Sequence, residues 1–325
     1  VDSLGSETEA FMNRRQFLSS VTLSLPALLR AKESEGVLRF GVITDVHQDI
    51  MHDGVQRVSA FVDAMARERV AFIAQLGDFC VPEEKNRAFL NAWNQFQGPR
   101  YHVLGNHDID GKHTREETVA FYGMSARHYR FEAGGVCFIV LDGNDPNPES
   151  KEKGYAHFIA KDQLDWLDAT LSNTRLPVIV MVHQPIDQAA GVKNHAEVRA
   201  VLEKPRKGLP GVAAVLSGHL HQDYVSRIND IAYIQVNSAS YLWMGNTGMT
   251  EMYAPEIHKA HPALRRTAPY RDPLWAVISI DWSMRTLTLQ GRSSQWVGVD
   301  PWERGGRFPK DRCKPAISDR REDLR

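Results

Sequence analysis

The chain has 325 residues, 42% of them hydrophobic and 24% charged, which is the make-up of an ordinary globular protein long enough to bury a sizeable core in one or two domains. A formal charge of -1 and a pI near 7.0 exclude a global electrostatic pull toward nucleic acid or an anionic membrane, so any phosphate-binding site has to be local. Three widely spaced cysteines, Cys80, Cys137 and Cys313, exclude a disulfide framework and a zinc ribbon, and Cys80 reads as a small buried hydrophobe.

In chain order, Met12-Asn13-Arg14-Arg15-Gln16-Phe17-Leu18 comes first, followed by an apolar run to Leu29 and then Arg30-Ala31. Charge followed by apolar sequence is the order of an export signal, and Met12 fits as the initiator. The run resembles a twin-arginine signal, which implies contact with the export machinery and an exported, periplasmic location. It is too short and too rich in Ser and Thr for a membrane span. Residues 1–36 are therefore expected to be signal and leader.

From Val37 short apolar strands alternate with amphipathic helices. Val37 to Thr44 reads as a strand ending in Asp45-Val46-His47, and a helix follows in which Val58, Phe61, Val62 and Met65 recur at helical spacing. Val70 to Leu76 is a strand ending at Gly77-Asp78, Glu83 to Phe96 is helical, and Tyr101 to Leu104 is a strand that opens into Gly105-Asn106-His107-Asp108. Tyr129 to Phe131 and Val136 to Leu141 predict a hairpin. A helix over Asp162 to Leu171 leads to the strand Pro177 to Val182, which stops at His183. A helix over Ala196 to Glu203 leads to Val212 to Leu216, which stops at Ser217-Gly218-His219-Leu220-His221. Ile231 to Val236, Trp275 to Ile280 and Thr286 to Gln290 complete the strands. Trp243 to Pro273 lacks periodicity and reads as a lid or contact insertion. Residues 301–325 read as a C-terminal tail, charged and poor in aromatics from Gly305 on, and loosely attached. Helices between early strands and hairpins later predict an α/β protein with two packed mixed sheets flanked by helices, in one domain over 37–300.

Side chains able to hold a metal fall at the strand ends: Asp45 and His47, Asp78, Asn106 and His107, His183, then His219 and His221. If the ends share one edge, two carboxylates, one amide and five imidazoles meet without a thiolate. That set suits Zn, Fe or Mn, and it exceeds what one tetrahedral ion needs. Each block alone is common; the ordered set of five is not.

Asp-x-His, Gly-Asp, Gly-Asn-His-Asp, a lone strand-end His and Gly-His-x-His, in that order from Asp45 to His221, resemble the calcineurin-like metallophosphoesterases. The resemblance implies a four-layer αββα sandwich and two divalent or trivalent ions, one held by Asp45, His47, Asp78 and His221, the other by Asp78, Asn106, His183 and His219. Asp78 is then the bridge. It further implies attack on a phosphoester by a metal-bridging hydroxide, with Asn106 neutralising charge, His107 as general acid and Asp108 orienting the imidazole. After Gly77-Asp78 comes Phe79-Cys80-Val81, without the tyrosine that purple acid phosphatases place there. A small phosphodiester is the favoured substrate, a monoester or nucleotide the alternative, and a non-catalytic metal-binding protein the reading from another class. Tyr241, Trp243, Asn246, His258 and Arg265 are candidates for touching substrate, and no basic groove points to a nuclease.

Overall fold

A computed structural model describes residues 36–149, 154–246 and 248–324. The expected leader lies, apart from Gly36, outside the described residues. Among those residues no helix is long and apolar enough to cross a membrane.

Two six-stranded mixed sheets carry the fold. The first runs in the order Arg320–Asp323, Thr286–Gln290, Ala276–Asp281, Val37–Ile43, Phe72–Gln75, Arg100–His102, with its last three strands parallel. The second runs Tyr129–Ala133, Val136–Val140, Val178–Met181, Val212–Ser217, Ile231–Gln235, Tyr224–Ile228, parallel in its middle and antiparallel at both edges.

Side-chain alternation assigns each strand two faces. Phe40, Val42, Phe72 and Ala74 meet Phe138, Val140, Ile179 and Leu216 between the sheets. Ile43 and Ile73 face outward to Phe61, Met65 and Trp93 of the helices Gly54–Glu68 and Arg87–Trp93. On the other side, Ile139, Val180 and Val215 pack on Leu167, Leu171 and Val198 of Lys161–Asn173 and His195–Glu203. Each such side chain, fully buried, contributes about 2 kcal/mol. The result is the expected αββα order of layers. Near-continuous apolar runs such as Val136–Val140 reflect burial on both faces.

Three parts depart from the sequence reading. A helix, Arg115–Tyr122, was not expected; its capping box, Thr114 with Glu117, is visible in the sequence as T-x-x-E. The stretch from Trp243 to Pro273, read as an aperiodic lid or contact insertion, contains regular elements. Tyr241–Trp243 pairs antiparallel with Thr267–Pro269, and the helix Pro255–Ala260 lies between. The tail is not loose. Arg320–Asp323 forms the edge strand of the first sheet, and Cys313, Ile317 and Leu324 are buried. Asp223 fixes it by accepting from Ser318 and Arg320 and pairing with Lys314. Net charge hid a few well-placed apolar residues.

Candidate metal centre

The C-terminal ends of the parallel strands bring their loops to one edge, as in other open α/β sheets. Asp45, His47 and His221 each offer an atom within 4.8 Å of the others, and so do Asp78, His183 and His219. His221 Nε2 lies 3.1 Å from His47 Nε2 and 3.1 Å from Asp45 Oδ1. Asp78 Oδ2 stands between the groups, 3.1 Å from His183 Nε2 and 3.6 Å from His47 Nε2.

Backbone geometry sets these positions. Asp45, His47, Asp78, His219 and His221 all have left-handed backbones, with φ between 51 and 74°. Non-glycine residues adopt that region at a cost, and clustering of such residues marks functional sites. The loops are locked together by amide donors: Asp45 to the Gly77 carbonyl, His47 to the Asp78 carbonyl and His219 to the Asp45 carboxylate. Gly77, at φ 103°, and Gly105 are required here, because a Cβ would strike the His183 ring at the first and Asp78 at the second. His183 and His221 donate from Nδ1 to the carbonyls of Leu76 and Tyr241, each at 2.7 Å. This fixes the tautomer that leaves Nε2 as a ligand nitrogen.

Two buried atoms show what the centre is built to hold. His183 Nε2 and Asn106 Oδ1 are buried without a hydrogen bond of acceptable geometry. Such orphans are costly unless something else satisfies them, and a cation would satisfy both. Burial pushes His47 and His219 down to about 3, so both are neutral and have a lone pair to give. For Asp45 burial is outweighed by His221 and His183, which hold the carboxyl near 2. Asp78 is likewise lowered, against burial, by His183 and His107. His183 is raised to about 9, burial yielding to the charges of Asp78 and Asp45. A cation held there takes the place of that proton.

His107 sits at the mouth, its ring 5.1 Å from that of His47. Its Nδ1 lies 2.6 Å from Asp110 Oδ2, and the Tyr155 hydroxyl, 3.1 Å from the same nitrogen, donates to Asp110 Oδ1 at 2.8 Å. Burial lowers its pKa, but Asp78 and Asp110 prevail and bring it to about 9. Asp108 does not orient this imidazole. Its carboxylate accepts from the amides of Gly105, Asp78, Phe79 and Cys80, binding two strand-end loops into one unit. Side chains of adjacent residues leave the backbone in different directions, which is why proximity in sequence misled here.

The profile of the calcineurin-like phosphoesterases matches residues 38–223, more than half the chain. The chain belongs to the calcineurin-like phosphoesterase family. A 3',5'-cyclic-nucleotide phosphodiesterase of Nostoc sp. is 25% identical over 256 residues, spanning 72% of this chain and 88% of its own. A manganese-dependent ADP-ribose/CDP-alcohol diphosphatase of Arabidopsis thaliana is 26% identical over 252 residues, 56% of this chain and 79% of its own. In fold, the chain is similar to a dimetal phosphatase from Danio rerio, with a TM-score of 0.56 and 16% identity over 81% of this chain and 99% of that one. The protein is thus a phosphoric ester hydrolase with two candidate metal-binding groups.

In this phosphoesterase six of the seven expected ligands fall into two groups, Asp45, His47 and His221 in one and Asp78, His183 and His219 in the other, while Asn106 is buried with its Oδ1 unpartnered. Of the expected substrate contacts, Tyr241 lies at the centre, stacked 5.0 Å from His47, and Trp243 is exposed beside it. Asn246 is exposed. His258 is buried and accepts from the amides of Met252 and Tyr253, while Arg265 pairs with Glu251. Sequence reasoning missed Asp110, Tyr155 and His157, whose ring lies 5.6 Å from that of His219. Asp110 carried a weak signal, an acid three residues after the expected proton donor. Tyr155 and His157 carried none, since they arrive from the other sheet.

Proposed function

We propose that this phosphoesterase hydrolyses small phosphodiesters at a dinuclear centre held by Asp45, His47, Asp78, Asn106, His183, His219 and His221, with His107 as general acid. The observation that carries this is Asp78 Oδ2 lying between the two ligand groups with His107 beside it. When bound, two ions would supply Lewis-acid polarisation of the phosphoryl oxygens and activation of water. Manganese is favoured, on the name of the Arabidopsis relative.

The chain's own residues supply the rest. Asn106 would give its carbonyl oxygen to a cation and its amide protons to a phosphoryl oxygen, offsetting charge that builds during displacement. His107 commits Nδ1 to Asp110, which leaves Nε2 as the proton donor. One water adds its oxygen to phosphorus, the bond to the leaving alcohol breaks with its electron pair, and that alcohol departs with the His107 proton. A proton from the water restores the imidazole.

Preference for a diester is supported by the names of the Nostoc and Arabidopsis relatives, a phosphodiesterase and a diphosphatase.

The test is hydrolysis by the manganese-loaded protein of bis(p-nitrophenyl) phosphate beside p-nitrophenyl phosphate. Faster diester cleavage is expected; faster monoester cleavage would move the assignment to a phosphatase or nucleotidase, and no turnover with metal bound to a non-catalytic metal protein. We also propose an exported, periplasmic location, on the Arg14-Arg15 run alone. Fractionation of cells bearing Arg14→Lys with Arg15→Lys should find the protein retained inside; unchanged export would refute it.

A further inference from the structure

A second cavity, of about 180 Å³, opens beside the centre and is lined by Pro146, Asn147, Tyr155, Ala156, His157 and Lys193, with Gly154. Its two aromatic walls each touch the machinery described above. The Tyr155 ring lies 4.8 Å from that of His107, and the His157 ring 5.6 Å from that of His219. One wall therefore meets the proton donor and the other a residue of the Asp78, His183 and His219 group. Tyr155 keeps 43% of its surface exposed although its hydroxyl is engaged by Asp110.

A proton donor has to reach the leaving oxygen, so the alcohol attached to that oxygen lies next to His107 and continues past it. Tyr155, packed against His107, lines this cavity on its way out. Its lining mixes an aromatic face, proline and alanine with an amide, an imidazole and an ammonium. Such a lining suits a flat ring with polar edges better than a purely aliphatic chain or a second phosphate alone. We propose that the cavity is the subsite for the leaving alcohol and that it selects a ring-bearing alcohol, such as a nucleoside, by stacking on Tyr155. The inference rests on the diesterase reading and adds to it the side of the substrate that is recognised.

The experiment uses the manganese-loaded protein, wild type and the variants Tyr155→Ala and Tyr155→Phe. Its two diesters are bis(p-nitrophenyl) phosphate, whose leaving group is a ring, and glycerophosphocholine, which has none. Tyr155→Ala should raise KM for the aryl diester about fivefold while moving that for glycerophosphocholine less than about twofold, the size of one lost aromatic contact. Tyr155→Phe should keep both KM values near wild type and lower kcat on glycerophosphocholine, because it retains the ring and loses the hydroxyl beside His107. Both variants should bind as much manganese as wild type. Equal KM changes on the two diesters, with wild-type turnover intact, would overturn the subsite and leave the diesterase reading standing. Metal loss in Tyr155→Ala would overturn it too, by making Tyr155 a support of the centre. Failure of the metal-loaded wild type to cleave either diester would instead overturn the diesterase reading and the subsite with it.

Discussion

The ligands on the floor of the site are held by backbone, whereas His107 at its rim is held by side chains. On the floor, Asp45, His47, Asp78, His219 and His221 occupy left-handed backbone positions, and His183 and His221 are turned by carbonyls of Leu76 and Tyr241. At the rim, His107 depends on Asp110 and on Tyr155, which comes from a loop of the second sheet. A floor built from strand ends is rigid and would present its ligand atoms to cations in one geometry. A rim built from two loops is where substrates of different shape can be accommodated while the metal chemistry stays the same.

The largest effect should come from breaking the floor at the atom both groups use. Asp78→Asn leaves one acceptor oxygen where two are required, and turnover of bis(p-nitrophenyl) phosphate should fall about 10³-fold or more. Activity within tenfold of wild type would show that the groups do not depend on a shared carboxylate. His107→Ala attacks the rim without touching the floor. Metal content should stay at the wild-type level while kcat falls about 10²-fold for an alkyl leaving group and less for p-nitrophenolate, which needs little protonation. A loss independent of the leaving group would remove the general-acid role.

Two neighbouring carboxylates then sharpen the contrast. Asp110→Asn should slow alkyl leaving groups by about tenfold with the melting temperature nearly unchanged, as expected of a residue acting through the imidazole it orients. Asp108→Asn should do the reverse in its main effect, costing about 1–3 kcal/mol of stability because an amide cannot replace a carboxylate that accepts four backbone amides. Thermal melts and leaving-group series on the two variants separate these roles; a swap of the two phenotypes would restore the pairing of His107 with Asp108. The smallest effect on catalysis belongs to the anchor of the C-terminal strand. Asp223→Asn, which loosens the C-terminal strand from Lys314 and Arg320, should lower the melting temperature by a few degrees while kcat/KM stays within about twofold.

What the sequence disclosed follows the same division. Floor ligands sit directly after apolar strands and next to glycines, so their order and spacing carry the two groups even though Asp45 and His221 are far apart in the chain. The layer order was legible for the same reason, because Phe40, Val42, Phe72 and Phe138 alternate or run as strands buried between layers must. Tyr155 was not legible, since its bond to Asp110 spans 45 positions and depends on how two sheets pack. Asp108 was misread because a neighbour in sequence was taken for a neighbour in space. The last segment was misread because composition averages over Cys313, Ile317 and Leu324, the few residues that anchor it.

The central claim is that two cations share Asp78. Electron paramagnetic resonance of the protein titrated with manganese tests it most directly. The account predicts two manganese ions per chain with an exchange-coupled signal in the wild type, and loss of the coupling in Asp78→Asn. A single uncoupled ion at saturation, or coupling that survives in Asp78→Asn, would contradict it.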